Sequence, residues 1–196
     1  MTFVIGITGG IASGKSTVAR MFAKRIPHID ADKLVHHLLA HDKTTVAQIA
    51  RHFADAVEGG SVNRKKLGAA IAGNPEKLKQ LELILHPRVR DAEEQAILRA
   101  TRQRRKAILL DIPLLFETGA DALCDVVIAV SAPLPMRRRR AMARKHMTTE
   151  TYDRLVARQL TDAERCARAD IVIPSSIGKA HTRRIVEKLL REWKLA

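Results

Sequence analysis

The sequence predicts an α/β fold, a three-layer doubly wound parallel sheet with helices on both faces, and three observations lead there. Short apolar runs alternate with amphipathic helical segments along all 196 residues. Near the start, Gly9-Gly10-Ile11-Ala12-Ser13-Gly14-Lys15-Ser16 fits G-x-x-x-x-G-K-[ST] between a strand pattern and a helix pattern. Further on, Ala107-Ile108-Leu109-Leu110-Asp111 is a continuous apolar run closed by an acid, the pattern of a central parallel strand whose carboxyl end reaches a ligand crevice.

Taken in order, Thr2 to Thr8 reads as a buried strand feeding the glycine-rich loop, and Val18, Met21 and Phe22 form one face of the helix that follows. Pro27 to Asp32 reads as a second strand ending in two carboxylates. Helical stripes follow over 33–39 and 45–57, then a loop at Glu58-Gly59-Gly60-Ser61. Asn63 is the expected N-cap of Arg64 to Ile71, and Pro75 opens a helix that His86-Pro87 should kink or break before the pattern resumes to Arg105. This helical block is longer than a crossover needs, so it predicts a subdomain. Asp125 to Val130 is a further strand, Leu134 begins an arginine-rich helix, and Thr148 and Thr149 can cap the next. Asp162 starts another helix before the last strand, Asp170 to Ile173, and Gly178 to Leu195 closes the chain as an amphipathic helix. The expected division is one domain over 1–196, with a core of about 1–31, 106–132 and 169–196, a helical subdomain of about 32–105 and a lid of about 133–168.

Composition narrows the partners. The net charge of +14 attracts polyanions of any kind. Aromatic residues make up only 3% of the chain, which leaves few rings to stack on nucleobases. Cys124 and Cys166 lack metal-ligand spacing and read as reduced thiols. No apolar stretch reaches the roughly 18 residues of a membrane span, and the expectation is a cytoplasmic protein without nucleic-acid or membrane partners.

The chemistry concentrates in four places. Backbone N–H groups of the glycine-rich loop curl around phosphate oxygens, where side chains on the glycines would block the approach. Lys15 supplies charge to the outer phosphates, the Ser16 hydroxyl can ligate Mg²⁺, and the helix start aims its positive end at the same anions. Gly10, Ala12, Ser13, Gly14 and Thr17 complete the nucleotide cradle. Asp30 and Asp32, alternate residues pointing to one side if the strand persists, offer a carboxylate to orient an attacking hydroxyl, or a cap for the next helix. Asp111 either holds Mg²⁺ or hydrogen-bonds the loop. Arg137, Arg140 and Arg144 share a helix face suited to a phosphate-facing lid, with Arg138 and Arg139 turned to water. Glu117 reads as a handle on the acceptor or a local cap, and His86 as the keeper of a helix break or a substrate contact.

The P-loop, Asp30-Ala31-Asp32, Leu81-Glu82 with His86-Pro87, Asp111-Ile112-Pro113-Leu114-Leu115-Phe116-Glu117, and Arg158-Gln159 with Arg165 and Ala169-Asp170 together resemble the dephospho-CoA kinase family over nearly the whole chain. The resemblance implies ATP as co-substrate with Mg²⁺, transfer of the γ-phosphoryl group to the 3′-hydroxyl of dephospho-CoA, a helical acceptor-binding subdomain and a lid. It makes Asp32 the base and Arg140 and Arg144 lid groups acting on the phosphates, Lys15 and Ser16 keep the phosphate and metal roles above, and Asp111 stays near the metal with its two roles open. Asp32, His86, the stretch Pro113, Leu114, Leu115, Phe116 and Glu117, and Arg165 become acceptor-binding.

Three departures from the family stand out. Ala12 replaces a glycine, which is tolerable if its φ stays negative. His36 replaces an arginine, and Pro174-Ser175 replaces an asparagine-containing strand end. A nucleic-acid-stimulated ATPase and a kinase of another nucleotide-like acceptor are the competing readings.

Overall fold

The computed structural model describes residues 1–145 and 147–195. Five strands form the main sheet in the order β2-β5-β1-β6-β7. They are β1 (Phe3–Thr8), β2 (His28–Asp30), β5 (Ala107–Asp111), β6 (Val126–Ser131) and β7 (Ile171–Pro174). The neighbours of β1, β5 and β6, run parallel to it, as β7 does to β6. The register pairs Ile7 with Asp111, so the loop leaving β1 starts beside the acid that ends β5. A parallel sheet covered on both sides needs strands apolar on both faces, and β1 and β5 are buried almost throughout.

The chain divides into two compact units, Met1–Ile29 with Ile97–Ala196, and Asp30–Ala96. In the first, α1 (Lys15–Phe22) and α9 (Lys179–Glu192) pack on the sheet, with Val18, Phe22, Val186 and Leu190 against Ile5, Ile7, Leu109 and Ile128. Helices α6 (Leu134–Met142), α7 (Thr149–Ala157) and α8 (Asp162–Arg168) lie between β6 and β7 in sequence. Asp125 and Asp170 do the same job at two strand starts: their carboxylates accept from the N–H of Val4 and Val127, each at 2.7 Å.

The second unit holds α2 (Ala31–His41), α3 (Lys43–His52), α4 (Arg64–Ile71) and most of α5 (Pro75–Arg102). Its own core gathers Leu39, Val46, Ile49, Phe53, Leu67 and Leu81. Three expectations are corrected here. The helix expected over 45–57 stops at His52, and Val57–Glu58 (β3) pairs antiparallel with Ser61–Val62 (β4) around Gly59-Gly60. Both glycines have positive φ, the geometry of a tight hairpin turn. The second strand ends at Asp30, not Asp32: Asp30 is the N-cap of α2, its carboxylate accepting from Lys33 N–H at 3.2 Å, so the two acids are not alternate residues of one strand. His86-Pro87 does not end a helix, because α5 runs unbroken past it. Pro87 has no N–H for the carbonyl of Leu83, and Leu83 is 67% exposed, where water can take that place.

Candidate active site

The cradle is built by glycines with something directly behind them. A Cβ on Gly9 would lie 2.5 Å from Ser13 Oγ and 2.8 Å from the Val130 carbonyl, and one on Gly10 would collide with Arg137 Nη1. Gly14, at φ 101°, caps α1, whose first turn carries no acid, so the positive helix end stays unneutralised toward a ligand. Ser13 is fully buried, and its hydroxyl has no partner among the described residues. Ala12 has φ 59°, which overturns the condition that its φ stay negative. A left-handed alanine costs about 1 kcal/mol. Burial of its methyl with Ala141 and Tyr152 offsets part of that cost.

At the mouth of the cradle the Lys15 ammonium contacts Asp111 Oδ1. The other oxygen of Asp111 is 3.4 Å from His28 Nε2. Asp111 is only 3% exposed, so a positive partner on one side and a ring nitrogen on the other compensate its burial.

Arg140 is held from behind. Its Nη1 donates to Ser175 Oγ and its Nη2 to the Ser175 carbonyl, both at 3.1 Å, while the Ser175 hydroxyl donates to the Ser13 carbonyl. Ser175 thus links the end of β7, the phosphate loop and α6. Beside this link lies a cavity of about 240 Å³, lined among others by Ala12, Gly14, Thr17, Arg140, Arg144 and Ser175.

Beneath the loop sits a buried charge network. Arg137 is 7% exposed and Arg165 1%, and both guanidinium groups lie against Gly10. Arg165 donates to the Leu160 carbonyl at 2.8 Å and lies 3.5 Å from Asp162 and 3.8 Å from Glu117. Arg137 is 3.9 Å from Asp162. Burial lowers the Arg165 pKa, against the opposing pull of Glu117 and Asp162. Glu117 also accepts from Leu160 N–H at 2.8 Å, just before the capping box of Thr161 and Glu164 that starts α8. Gln159 completes the frame by accepting from the P-loop N–H of Ile11 at 2.9 Å.

Several sequence assignments change meaning. Glu117 accepts from Leu160 N–H and lies 3.8 Å from Arg165, whose Nη2 donates to the Leu160 carbonyl, while Arg165 Nε and Nη1 have no hydrogen-bond partner among the described residues. Arg137 is buried, whereas Arg140 is half-buried and Arg144 exposed, and Arg138 and Arg139 are exposed as expected. Leu115 and Phe116 are core residues: Leu115 packs where a Cβ on Gly6 would go, and Phe116 lies under the Arg168 guanidinium at 4.4 Å. Pro113 and Leu114 remain half-buried, with the Pro113 carbonyl held by the Thr8 hydroxyl at 3.0 Å. In the second unit, Asp32 is exposed in the first turn of α2 and uninvolved in capping, and His86 is exposed on α5. Sequence reasoning missed the roles of His28, Gln159 and Ser175.

A glycine cradle on a helix start, a lysine paired with a strand-end acid, and arginines at one rim define the class of P-loop kinases. The family model "Dephospho-CoA kinase" matches residues 3–180. A dephospho-CoA kinase of Rhizobium etli is 41% identical over 97% of this chain and 94% of its own length. One of Agrobacterium fabrum is 39% identical over 98% of both chains. Among solved structures, the dephospho-CoA kinase of Campylobacter jejuni superposes with a TM-score of 0.72 at 28% identity, covering 98% of this chain and 97% of its own. A shikimate kinase of Bacteroides thetaiotaomicron, with a TM-score of 0.53 at 13% identity over 98% of this chain and 99% of its own, shares the fold. The chain belongs to the dephospho-CoA kinase family and is an ATP-dependent kinase. Among the described residues, no helix is long and apolar enough to cross a membrane.

Proposed function

We propose that the protein transfers the γ-phosphoryl group of ATP to the 3′-hydroxyl of dephospho-CoA, giving CoA and ADP, with Asp32 as the base that orients and deprotonates that hydroxyl. The observation that carries the reading is the contact of Lys15 with Asp111 at the mouth of a glycine cradle, in a chain whose family match covers nearly its whole length. The P-loop N–H groups and the α1 start bind the β- and γ-phosphates. Lys15 has a choice of anionic partners, Asp111 or the phosphate oxygens, and so can follow charge as it moves to the leaving group. Arg140, fixed by Ser175, and Arg144 neutralise charge that a loose transition state spreads over the transferred oxygens. The cavity between them, Thr17 and Lys179 takes the nucleoside end of ATP.

Mg²⁺ suits the donors present, since the Ser16 hydroxyl and the Asp111 carboxylate are hard oxygen ligands, and they are the residues assigned to hold it. When bound, the ion neutralises charge on the β- and γ-phosphates. Pro113 and Leu114 are assigned to the acceptor as its partly apolar wall, and His86 as a polar contact. Arg137, Arg165 and Glu117 act through the loop they support. The reading involves small-molecule partners only, and Cys124 and Cys166, not joined in a disulfide, are compatible with a reducing cytoplasm.

The test is an acceptor screen with purified protein and ATP. CoA formation from dephospho-CoA is expected, and preferential phosphorylation of AMP would overturn the assignment. Asp32→Asn should lower kcat on the order of 10²- to 10⁴-fold with ATP affinity unchanged. An Asp32→Asn enzyme with full kcat would remove Asp32 from the base role.

A further inference from the structure

At the end of the strands opposite the phosphate loop, a second basic cavity of about 330 Å³ opens in the first unit. Its charged lining is Arg25, Arg104, Arg105, Lys106 and Lys194, over a floor of Ile26, Pro27, Ala107 and Leu195. The strand starts Phe3 and Ala107 mark this end, whereas Thr8 and Asp111 mark the catalytic one. Among the described residues, no carboxylate forms an ion pair with any of the five cations.

Helix ends alone do not account for this charge. α1, α5 and α9 all finish beside the cavity, and each C-terminus carries about half a negative charge, so three of them offset only about one and a half of the five positive charges. The backbone adds an independent observation. Apart from Ala12 in the phosphate cradle, the non-glycine residues with positive φ among the described residues are Arg104 at 53° and Lys194 at 55°. Each occupies the turn that closes a helix. Arg105 N–H returns to the Ala100 carbonyl at 2.9 Å, and Leu195 N–H to the Leu190 carbonyl at 2.7 Å. Glycine fills such positions without strain. Here both carry long cationic side chains at a steric cost, and strained backbone of this kind collects at ligand clamps. The two turns are also tied together, with Lys106 Nζ donating to the Lys194 carbonyl at 3.2 Å.

We propose that this basin is a second anion site, separate from the ATP site, that binds a small molecule carrying two or three clustered phosphoryl groups. Its volume lies at the lower end of the range for small-molecule sites. The concave shape and the absence of aromatic residues from its lining favour a compact polyphosphate over a stacked nucleic-acid strand. The ligand is either a free polyphosphate or the phosphate end of a nucleotide.

Trp193, the single tryptophan, precedes Lys194 and packs on Phe3 and Phe22 at centroid distances of 5.5 and 6.3 Å, which makes its fluorescence a local reporter. The titration uses the full chain carrying Lys15→Ala, so that the P-loop contributes little, at low salt with inorganic tripolyphosphate, ATP and a 20-nucleotide oligonucleotide as separate arms. A saturable change with tripolyphosphate is expected. It should weaken at least about tenfold in Arg104→Gly/Lys194→Gly and in Arg105→Ala/Lys106→Ala, and persist in Arg138→Ala/Arg139→Ala, which removes exposed charge elsewhere. The Gly pair should also melt at a higher temperature without anion, because both left-handed residues are relieved, so its loss of binding is not unfolding. Binding by ATP as well as tripolyphosphate assigns the site to nucleotides, and binding by tripolyphosphate alone assigns it to free polyphosphate. The proposal is overturned by the absence of saturation, by undiminished binding in both basin variants, by an equal loss in Arg138→Ala/Arg139→Ala, or by tighter binding of the oligonucleotide than of tripolyphosphate.

Discussion

Ser175 shows how much a site can depend on one small side chain. Its hydroxyl reaches the Ser13 carbonyl while accepting from Arg140, and its own carbonyl takes the second arm of the guanidinium. Arg140 is therefore oriented without any ligand, so in the proposed phosphate-binding role it would lose less entropy on clamping an anion. Ser175→Ala removes the hydroxyl contacts and leaves the carbonyl contact, so Arg140 keeps its charge but loses half its fixing. The expected result is a KM for ATP raised about tenfold, equivalent to one hydrogen bond of about 1.4 kcal/mol, with a stability change under about 1 kcal/mol. Initial-rate kinetics and urea unfolding check the two halves. An unchanged KM would mean that Arg140 reaches the nucleotide without this support. From the sequence alone Ser175 was visible only as a departure from the family's asparagine. The reason is physical: the bond from Ser175 to Ser13 joins residues 162 positions apart, and that from Ile11 to Gln159 spans 148, so no local periodicity signals either.

Elements were legible where local chemistry and tertiary packing agree. The Asn63 and Thr148 caps and the buried strand closed by Asp111 stand where residue type and pattern place them. Legibility failed where a solvent-facing defect is tolerated. Proline punctuates a helix by withholding one N–H and crowding the carbonyl four residues earlier, yet α5 continues because that carbonyl belongs to an exposed turn. The likewise invisible hairpin of β3 and β4 is held by only two paired positions, too short for a period-two signal. If Pro87 is a tolerated defect, Pro87→Ala should stabilise the protein on the order of 1–3 kcal/mol by restoring the bond to the Leu83 carbonyl, less the entropy that proline removes from the unfolded chain. A higher urea midpoint with unchanged slope is the expected reading, and a lower midpoint would show that the helix depends on its proline.

For the molecule as a whole, one residue sets an unusual response to pH. Glu93 lies on α5, in the unit Asp30–Ala96, at 3% exposure, and burial raises its pKa to about 7 against the partial relief that Arg90 gives. Most perturbed acids of the chain go the other way. Asp42 and Glu164, for example, are lowered chiefly by hydrogen bonds from Thr45 and Thr161, so their contributions are lost as pH falls. For Glu93 the folded state holds a proton that the unfolded state has released between about pH 4.5 and 7. Stability from this group is therefore full below about 4.5, declines as pH rises through that window, and stays reduced above it. Glu93→Gln keeps the shape and removes the ionisation. It should leave stability near pH 4 almost unchanged and raise it above pH 8 by on the order of 3 kcal/mol. Urea unfolding of the two proteins across that range decides the matter: curves that diverge steadily between pH 5 and 8 locate the proton on Glu93, and parallel curves would show that its carboxylate ionises at no cost to the fold.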